Sequence, residues 1–155
     1  MTTPDHSFPV RTGTPFAEID LTTLMRSLGH SGWLGMRFHA QSDGWIELAM
    51  PWNAEIMGDE ADATLAAGPI ISLLDNATGI AAWQRRGFFA PQVTVDLRFD
   101  HLRAPAPGRT VIGRGECYAI AHSVAYVRGV AYDGAIDDPI VHVAGSFMLL
   151  DGGAA

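Results

Sequence analysis

From Thr64 to about Arg86 the chain is almost entirely apolar or small, and between Asp62 and Arg85 it carries one charged residue, Asp75. Pro69 suits the first turn of a helix, where its missing N–H costs nothing. Ile70, Ile71, Leu73, Leu74, Ala77, Ile80, Ala81, Ala82 and Trp83 follow, and Gly87 can end the segment. A strand of that length would be unusual, so the spacing predicts one helix over about 67–86. A surface helix carries Lys, Glu or Arg on its wet side. This one is apolar nearly all round and must be buried on most sides. The rest of the chain has to supply the cover.

The cover reads as strands. Leu34, Met36, Phe38 and Ala40 alternate with other residues, as do Ile46, Leu48 and Met50, with Ser42-Asp43-Gly44 as a hairpin turn between them. Residues 54–63 read as a connecting loop. Val93, Val95, Leu97 and Phe99 alternate with Thr94, Asp96, Arg98 and Asp100, which predicts one buried and one polar face. Pro105 to Gly108 marks a turn. Val111–Tyr118 and Ser123–Tyr132 read as two further strands joined around Ala121-His122, and Ile140–Leu150 as the last. Ahead of them, Asp20 can cap a short helix bearing Leu21, Leu24, Met25 and Leu28, with Gly29 as its stop. The order is a short helix, two strands, the long helix and four strands. An α+β fold, with an antiparallel sheet of about six strands curled around one helix, satisfies it.

Length and composition narrow the class. The chain of 155 residues suits one domain with one core. We expect an arm at residues 1–15 and a single domain at 16–151. A net charge of -7 argues against a nucleic-acid partner. No apolar run reaches the roughly 20 residues that span a bilayer, and the polar start lacks a signal-peptide pattern. With a single cysteine, Cys117, the chain is expected in a reducing cytoplasm. His6, His30, His39, His101, His122 and His142 show no zinc spacing, and there is no serine-hydrolase elbow. No metal or cofactor is expected.

Asp75 is the residue that does not fit a buried helix. Ser72, Asp75, Asn76 and Gly79 share one face at i, i+3, i+4 and i+7. A carboxylate there is costly unless paired, hydrogen-bonded or functional. Three roles stay open on the residues alone: a structural acid, an interface group, or a catalytic acid or base in a cleft.

The segment Leu65-Ala66-Ala67-Gly68-Pro69-Ile70-Ile71-Ser72-Leu73-Leu74-Asp75-Asn76-Ala77-Thr78-Gly79 resembles the central-helix signature of hotdog-fold acyl-CoA thioesterases of the PaaI-like, phenylacetate-pathway type. Met50-Pro51-Trp52, Ile56 to Asp59, Val93 to Arg109 and Ala144 to Met148 are similar to the family's flanking strands and turns, so the likeness covers about 33–150. It implies hydrolysis of an acyl-CoA to a carboxylic acid and free CoA, with Asp75 as general base or nucleophile. It implies backbone N–H groups of Ala67 and Gly68 as the oxyanion hole, and Thr94 beside the acid. Ala66, Asn76, Arg103 and Arg109 are the expected substrate and CoA contacts; for the two arginines a solvated surface role is the competing reading. Ile56, Met57, Trp83, Phe88 and Phe89 are expected around the acyl group. A homodimer is implied as the minimum unit, with homotetramers common. One departure stands out: Ala66 and Ala67 occupy the positions of the family's His and first Gly. That keeps open a second function, a non-catalytic hotdog module that binds acyl-CoA or builds an oligomer.

Overall fold

The computed structural model describes residues 8–59, 61 and 63–150. The chain opens with α1 (Leu21–Ser27) and α2 (Gly29–Trp33), then β1 (Arg37–Ser42) and β2 (Trp45–Met50). A short ribbon of β3 (Met57–Asp59) and β4 (Thr64–Leu65) leads into α3 (Ala67–Arg86). β5 (Gln92–His101), β6 (Val111–Ala121), β7 (Val124–Tyr132) and β8 (Val141–Leu149) complete it. The main sheet has six strands in the order β1-β2-β6-β7-β8-β5, every pair antiparallel. α3 lies against β6, with β2 and β7 on either side. This is the hotdog architecture, with the long helix wrapped by the sheet as its composition requires.

The contact between helix and sheet rests on missing side chains. A Cβ at Gly115 would stand 2.4 Å from the Ala77 carbonyl carbon and 2.5 Å from Thr78 N. One at Gly113 would stand 2.8 Å from Leu73 Cγ. Glycine at these two places on β6 lets the helix backbone settle onto the strand. Ile70, Leu73, Leu74, Ile80 and Trp83 then bury against Ile46, Leu48, Val111, Val127 and Phe147. Gly87 ends α3 at φ 86°, a left-handed turn that favours glycine.

Four local expectations are corrected. Gly29 does not stop the helical region. Asp20 caps α1 through Thr22 N and Thr23 N, at 3.0 and 3.1 Å, and Leu28 breaks it, but Gly29 opens α2. The bare Gly32 lets α2 fold back onto α1, since a Cβ there would be 2.8 Å from Arg26 O. The first strand therefore starts at Arg37, and Leu34 and Met36 are buried before it. The 54–63 stretch is more than a loop. It holds a 3-10 turn at Ala54–Ile56, capped by Asn53, and the β3–β4 ribbon.

The fourth correction matters most. β5 does not present Val93, Val95, Leu97 and Phe99 on one face. Its pairing with β8 shifts between Thr94 and Asp96, leaving Val95 as a bulge. Ahead of the bulge Gln92 and Thr94 pair with the buried Leu149 and Phe147; beyond it Leu97 and Phe99 face the core. Val93 and Val95 are left 49% and 58% exposed on an edge strand.

Residues 1–7 of the expected arm, and Asp151 at the domain's expected end, lie outside the described residues. Residues 8–15 run along the end of α3. Phe8 stacks on Phe89 with 4.9 Å between ring centres, and Gly13 N donates to Phe89 O at 2.8 Å.

Gly115→Ala should destabilise the fold by about 3 kcal/mol, the upper part of the overpacking range, because backbone must move. Gly113→Ala should cost less, since only the Leu73 side chain has to shift. Urea midpoints of the two variants and the parent check the order.

Candidate active site

Asp75 sits half-buried on α3, two turns past its start. Thr94, exposed on β5 just ahead of the bulge, donates from Oγ1 to Asp75 Oδ1 at 2.9 Å. Among the described residues no cation pairs with this carboxylate. Asp75 and Thr94 line a cavity of about 200 Å³ together with Phe8, Leu28, Asn76, Gly79, Ile80, Trp83, Gln92 and Phe147. A carboxylate held by one hydroxyl and open to a small, largely apolar cavity can accept a proton from a water or attack an electrophilic carbon.

The rest of the polar stripe is covered by α2. Ser31 Oγ donates to Asn76 Oδ1 at 3.1 Å, and Asn76 Nδ2 donates to Ser72 O at 2.8 Å. Asn76 thus stands at the cavity wall with its polar atoms engaged by the protein. His30 Nε2 lies 3.3 Å from Ser72 Oγ.

His30 also lines a second cavity, of about 420 Å³, at the start of α3. Trp33, Leu34, Glu55, Ile56, Met57, Ala66, Gly68, Pro69 and Ser72 complete its wall. Ala66 caps α3 without a side-chain hydrogen bond, and Ala67 and Gly68 are exposed. The N–H groups of Ala67 and Gly68 are the open donors of the first turn, at the positive end of the helix dipole. Of the residues expected around an acyl group, Trp83 lies at the Asp75 cavity, and Ile56 and Met57 at the helix start. Phe88 and Phe89 line neither cavity. Sequence reasoning missed His30, Trp33 and Gln92. α2 is a five-residue helix with no periodic signal, and Gln92 acquires its place only through the register of β5.

Arg103 and Arg109 are not brought to either cavity. Arg103 donates to Asp133 Oδ1 at 2.7 Å, to Asp138 Oδ1 at 3.2 Å, and to the carbonyls of Ala104 and Asp138. Arg109 donates to Asp133 O at 3.3 Å. Arg103 therefore ties the 103–109 turn to the β7–β8 connection, and its guanidinium holds the Asp133 carboxyl below its ordinary range. On the far face of the sheet Glu47 is buried, accepting from Arg114 Nε at 2.8 Å and from Tyr132 Oη at 2.5 Å. Burial, with Glu47 second, pushes the Tyr132 hydroxyl up to about 12. Both of those acids are paired with arginine, as a structural carboxylate should be. Asp75 is not. Among the described residues no group of acids, histidines and cysteine is placed to hold a metal ion, and no helix is long and apolar enough to cross a membrane.

Comparison with known proteins gives the family. The thioesterase superfamily profile matches residues 64–139, from the ribbon before α3 through β7. A solved protein from Pseudomonas aeruginosa is 30% identical with a TM-score of 0.76, and the match covers 84% of this chain and 96% of that one. The chain belongs to the thioesterase superfamily. Two further structures share the fold. A thioesterase from Haemophilus influenzae matches at 17% identity and TM-score 0.71, covering 84% of this chain and 88% of that one. The PaaI protein of the phenylacetic acid degradation operon of E. coli matches at 15% and 0.70, covering 84% and 90%. Among curated proteins none matches.

The Arg103–Asp133 pair carries a pH test. Asp133 has a lowered pKa in the fold, so its contribution is present above its unfolded pKa and is lost as pH falls through the folded value. Urea midpoints should drop more steeply below about pH 4 in the parent than in Asp133→Asn. Near neutral pH the variant should be the less stable of the two.

Proposed function

We propose that this chain hydrolyses acyl-CoA thioesters to a carboxylic acid and free CoA, with Asp75 as the acting carboxylate. The observation that carries this is the Asp75 environment: a carboxylate without a cation, held by Thr94 at 2.9 Å, in the wall of a cavity. Asp75 takes a proton from a water that attacks the thioester carbon and expels the CoA thiolate, or attacks that carbon itself, expelling the thiolate to give a transient anhydride that water then hydrolyses. The carbonyl oxygen gains negative charge in either case. Open N–H groups at the start of α3, those of Ala67 and Gly68, stabilise it without reorganising. Neither donor needs a side chain, so the alanines at 66 and 67 leave this step intact.

One chain does not complete the site. Ala67 and Asp75 are eight residues apart on one helix, about 12 Å along its axis. A thioester carbonyl has to lie within about 3 Å of both the donors and the attacking group. Two copies solve this, the acid of one facing the helix start of the other. The β5 edge, with Val93 and Val95 exposed beside Thr94, is the surface that supports a homodimer, since an open apolar edge strand is a ready template for pairing. A homotetramer is two such dimers. Arg109 is the better of the two arginines for a CoA phosphate, because Arg103 is fully engaged with Asp133 and Asp138. The buried, unpaired Cys117 fits a reducing compartment, and we assign the protein to the cytoplasm.

A second reading is favoured by Ala66, which caps α3 with no side-chain group: a module that binds acyl-CoA without cleaving it. Thiol release from a panel of acyl-CoAs separates the two. Asp75→Asn should lower turnover by roughly 100- to 10,000-fold and leave CoA binding in place. No release from any acyl-CoA by the folded parent would favour the binding module, and unchanged release in Asp75→Asn would remove Asp75 from the mechanism. Val95→Arg should shift sedimentation toward monomer and lower activity with it.

A further inference from the structure

The chain ahead of α1 reaches the cavity that holds Asp75. Its anchor lies a few residues further on. Gly13 N donates to Phe89 O at 2.8 Å, Phe89 N to Thr14 O at 2.9 Å, and Phe16 N to Gly87 O at 2.8 Å. Gly13 turns the chain at φ 88°, and Thr14 N closes the turn on Arg11 O at 3.1 Å. The residues before the turn come back to Phe89. There the Phe8 ring stacks on the Phe89 ring, with 4.9 Å between centres and 9° between planes, and meets Trp83 edge-on at 6.2 Å and 80°. Both arrangements are favourable for aromatic pairs. Trp83 is itself fixed, since Nε1 donates to Ala90 O at 2.9 Å. Phe89 and Trp83 are buried, whereas Phe8 is 43% exposed. Phe8 thus rests on a fixed aromatic floor and forms part of the wall of the Asp75 cavity.

The chemistry of the walls says which half of a thioester enters. Phe8, Leu28, Ile80, Trp83 and Phe147 are apolar, and among the described residues lining the cavity only Asp75 is charged. A thioester carbon attacked by Asp75, or by a water that it activates, must lie within reach of the carboxylate. Two arms leave that carbon. The CoA arm carries phosphates and a nucleotide, for which these walls offer no cation. The acyl arm is apolar and matches them. An apolar cavity of roughly 150 Å³ holds a benzene ring, so the volume of about 200 Å³ here takes an acyl group of about eight carbon atoms at most.

We propose that Phe8 is a specificity residue: its ring closes the acyl-binding cavity beside Asp75 and limits the substrates to short acyl groups. The assignment rests on the thioesterase reading of Asp75 for its reaction, but the limit on chain length is a recognition step separate from that reaction. A hydrophobic pocket discriminates by methylenes, each worth roughly 10- to 200-fold, so one ring in the wall is enough to set the optimum. Phe89, which lines neither cavity, contributes by holding that ring in place.

The test is the chain-length profile of kcat/KM for straight-chain CoA thioesters from acetyl to dodecanoyl. The parent should peak at or below octanoyl. In Phe8→Ala the ratio of decanoyl to butyryl should rise by roughly tenfold or more, and in Phe8→Trp it should fall. A parent that peaks beyond octanoyl overturns the proposal. So does a ratio that fails to rise in Phe8→Ala. Calorimetric binding of the butyryl and decanoyl thioesters to Asp75→Asn, with and without Phe8→Ala, reads recognition without turnover. A gain for decanoyl over butyryl when Phe8 is removed supports the assignment even if the parent cleaves no thioester, a result that would sink the catalytic reading alone. Equal changes for the two thioesters, or no binding of either, overturn it.

Discussion

The approach of α3 to β6 is the contact on which the rest of the structure depends. Two glycines, Gly113 and Gly115, remove the side chains that would otherwise hold the helix away from the sheet. Leu73 and Ala77 then sit against strand backbone, and the six strands can curl around one helix. The position of Asp75 follows from this seating. Its side chain leaves α3 toward the β5 edge because the opposite helix face is pressed onto β6. A looser helix would leave the acid free in water, where Thr94 could not hold it.

Glu47, Asp133 and Asp75 show how the surroundings of a partly buried carboxylate separate structure from chemistry. Glu47 and Asp133 each meet an arginine at close range and a further donor, Tyr132 in one case and the Ala106 N–H in the other. Their negative charge is neutralised where it stands. Among the described residues Asp75 meets a single neutral donor, and it adjoins a cavity. Such an acid keeps its charge available to a bound molecule. The fold thus commits two acids to holding strands and turns together and leaves the third open.

The central helix was legible in the sequence because burial leaves a compositional mark: one charge, Asp75, in a long apolar run. Asp20 as a cap and Gly87 as a stop were legible for the same kind of local reason, a specific backbone geometry served by a specific residue. What was not legible depended on partners distant in sequence. The alternation of Val93 to Phe99 reads as one face, yet pairing with β8 breaks it at Val95. α2 is held by Gly32 against Arg26, a contact that no periodicity announces. His30 and Gln92 reach the cavities through Ser72 and Gly79 on a helix more than ten residues away. For the arginines at 103 and 109 the sequence leaves ligand contact and solvated surface both open, because it shows charge but not the Asp133 carboxylate that Arg103 meets or the Asp133 carbonyl that Arg109 meets.

The bulge at Val95 also bears on how such a chain can change over generations. Substitutions along β5 alter one side chain at a time, but loss of one residue between Gly87 and the bulge would draw the strand along by one and turn every position ahead of the bulge to the other face. Gln92 and Thr94 would leave the helix together, and Val93 would replace them. Point changes and single-residue deletions are therefore not steps of similar size in this strand. Descendants of this sequence can vary what surrounds the acid quite freely, whereas the count of residues between Gly87 and the bulge is inherited as a unit.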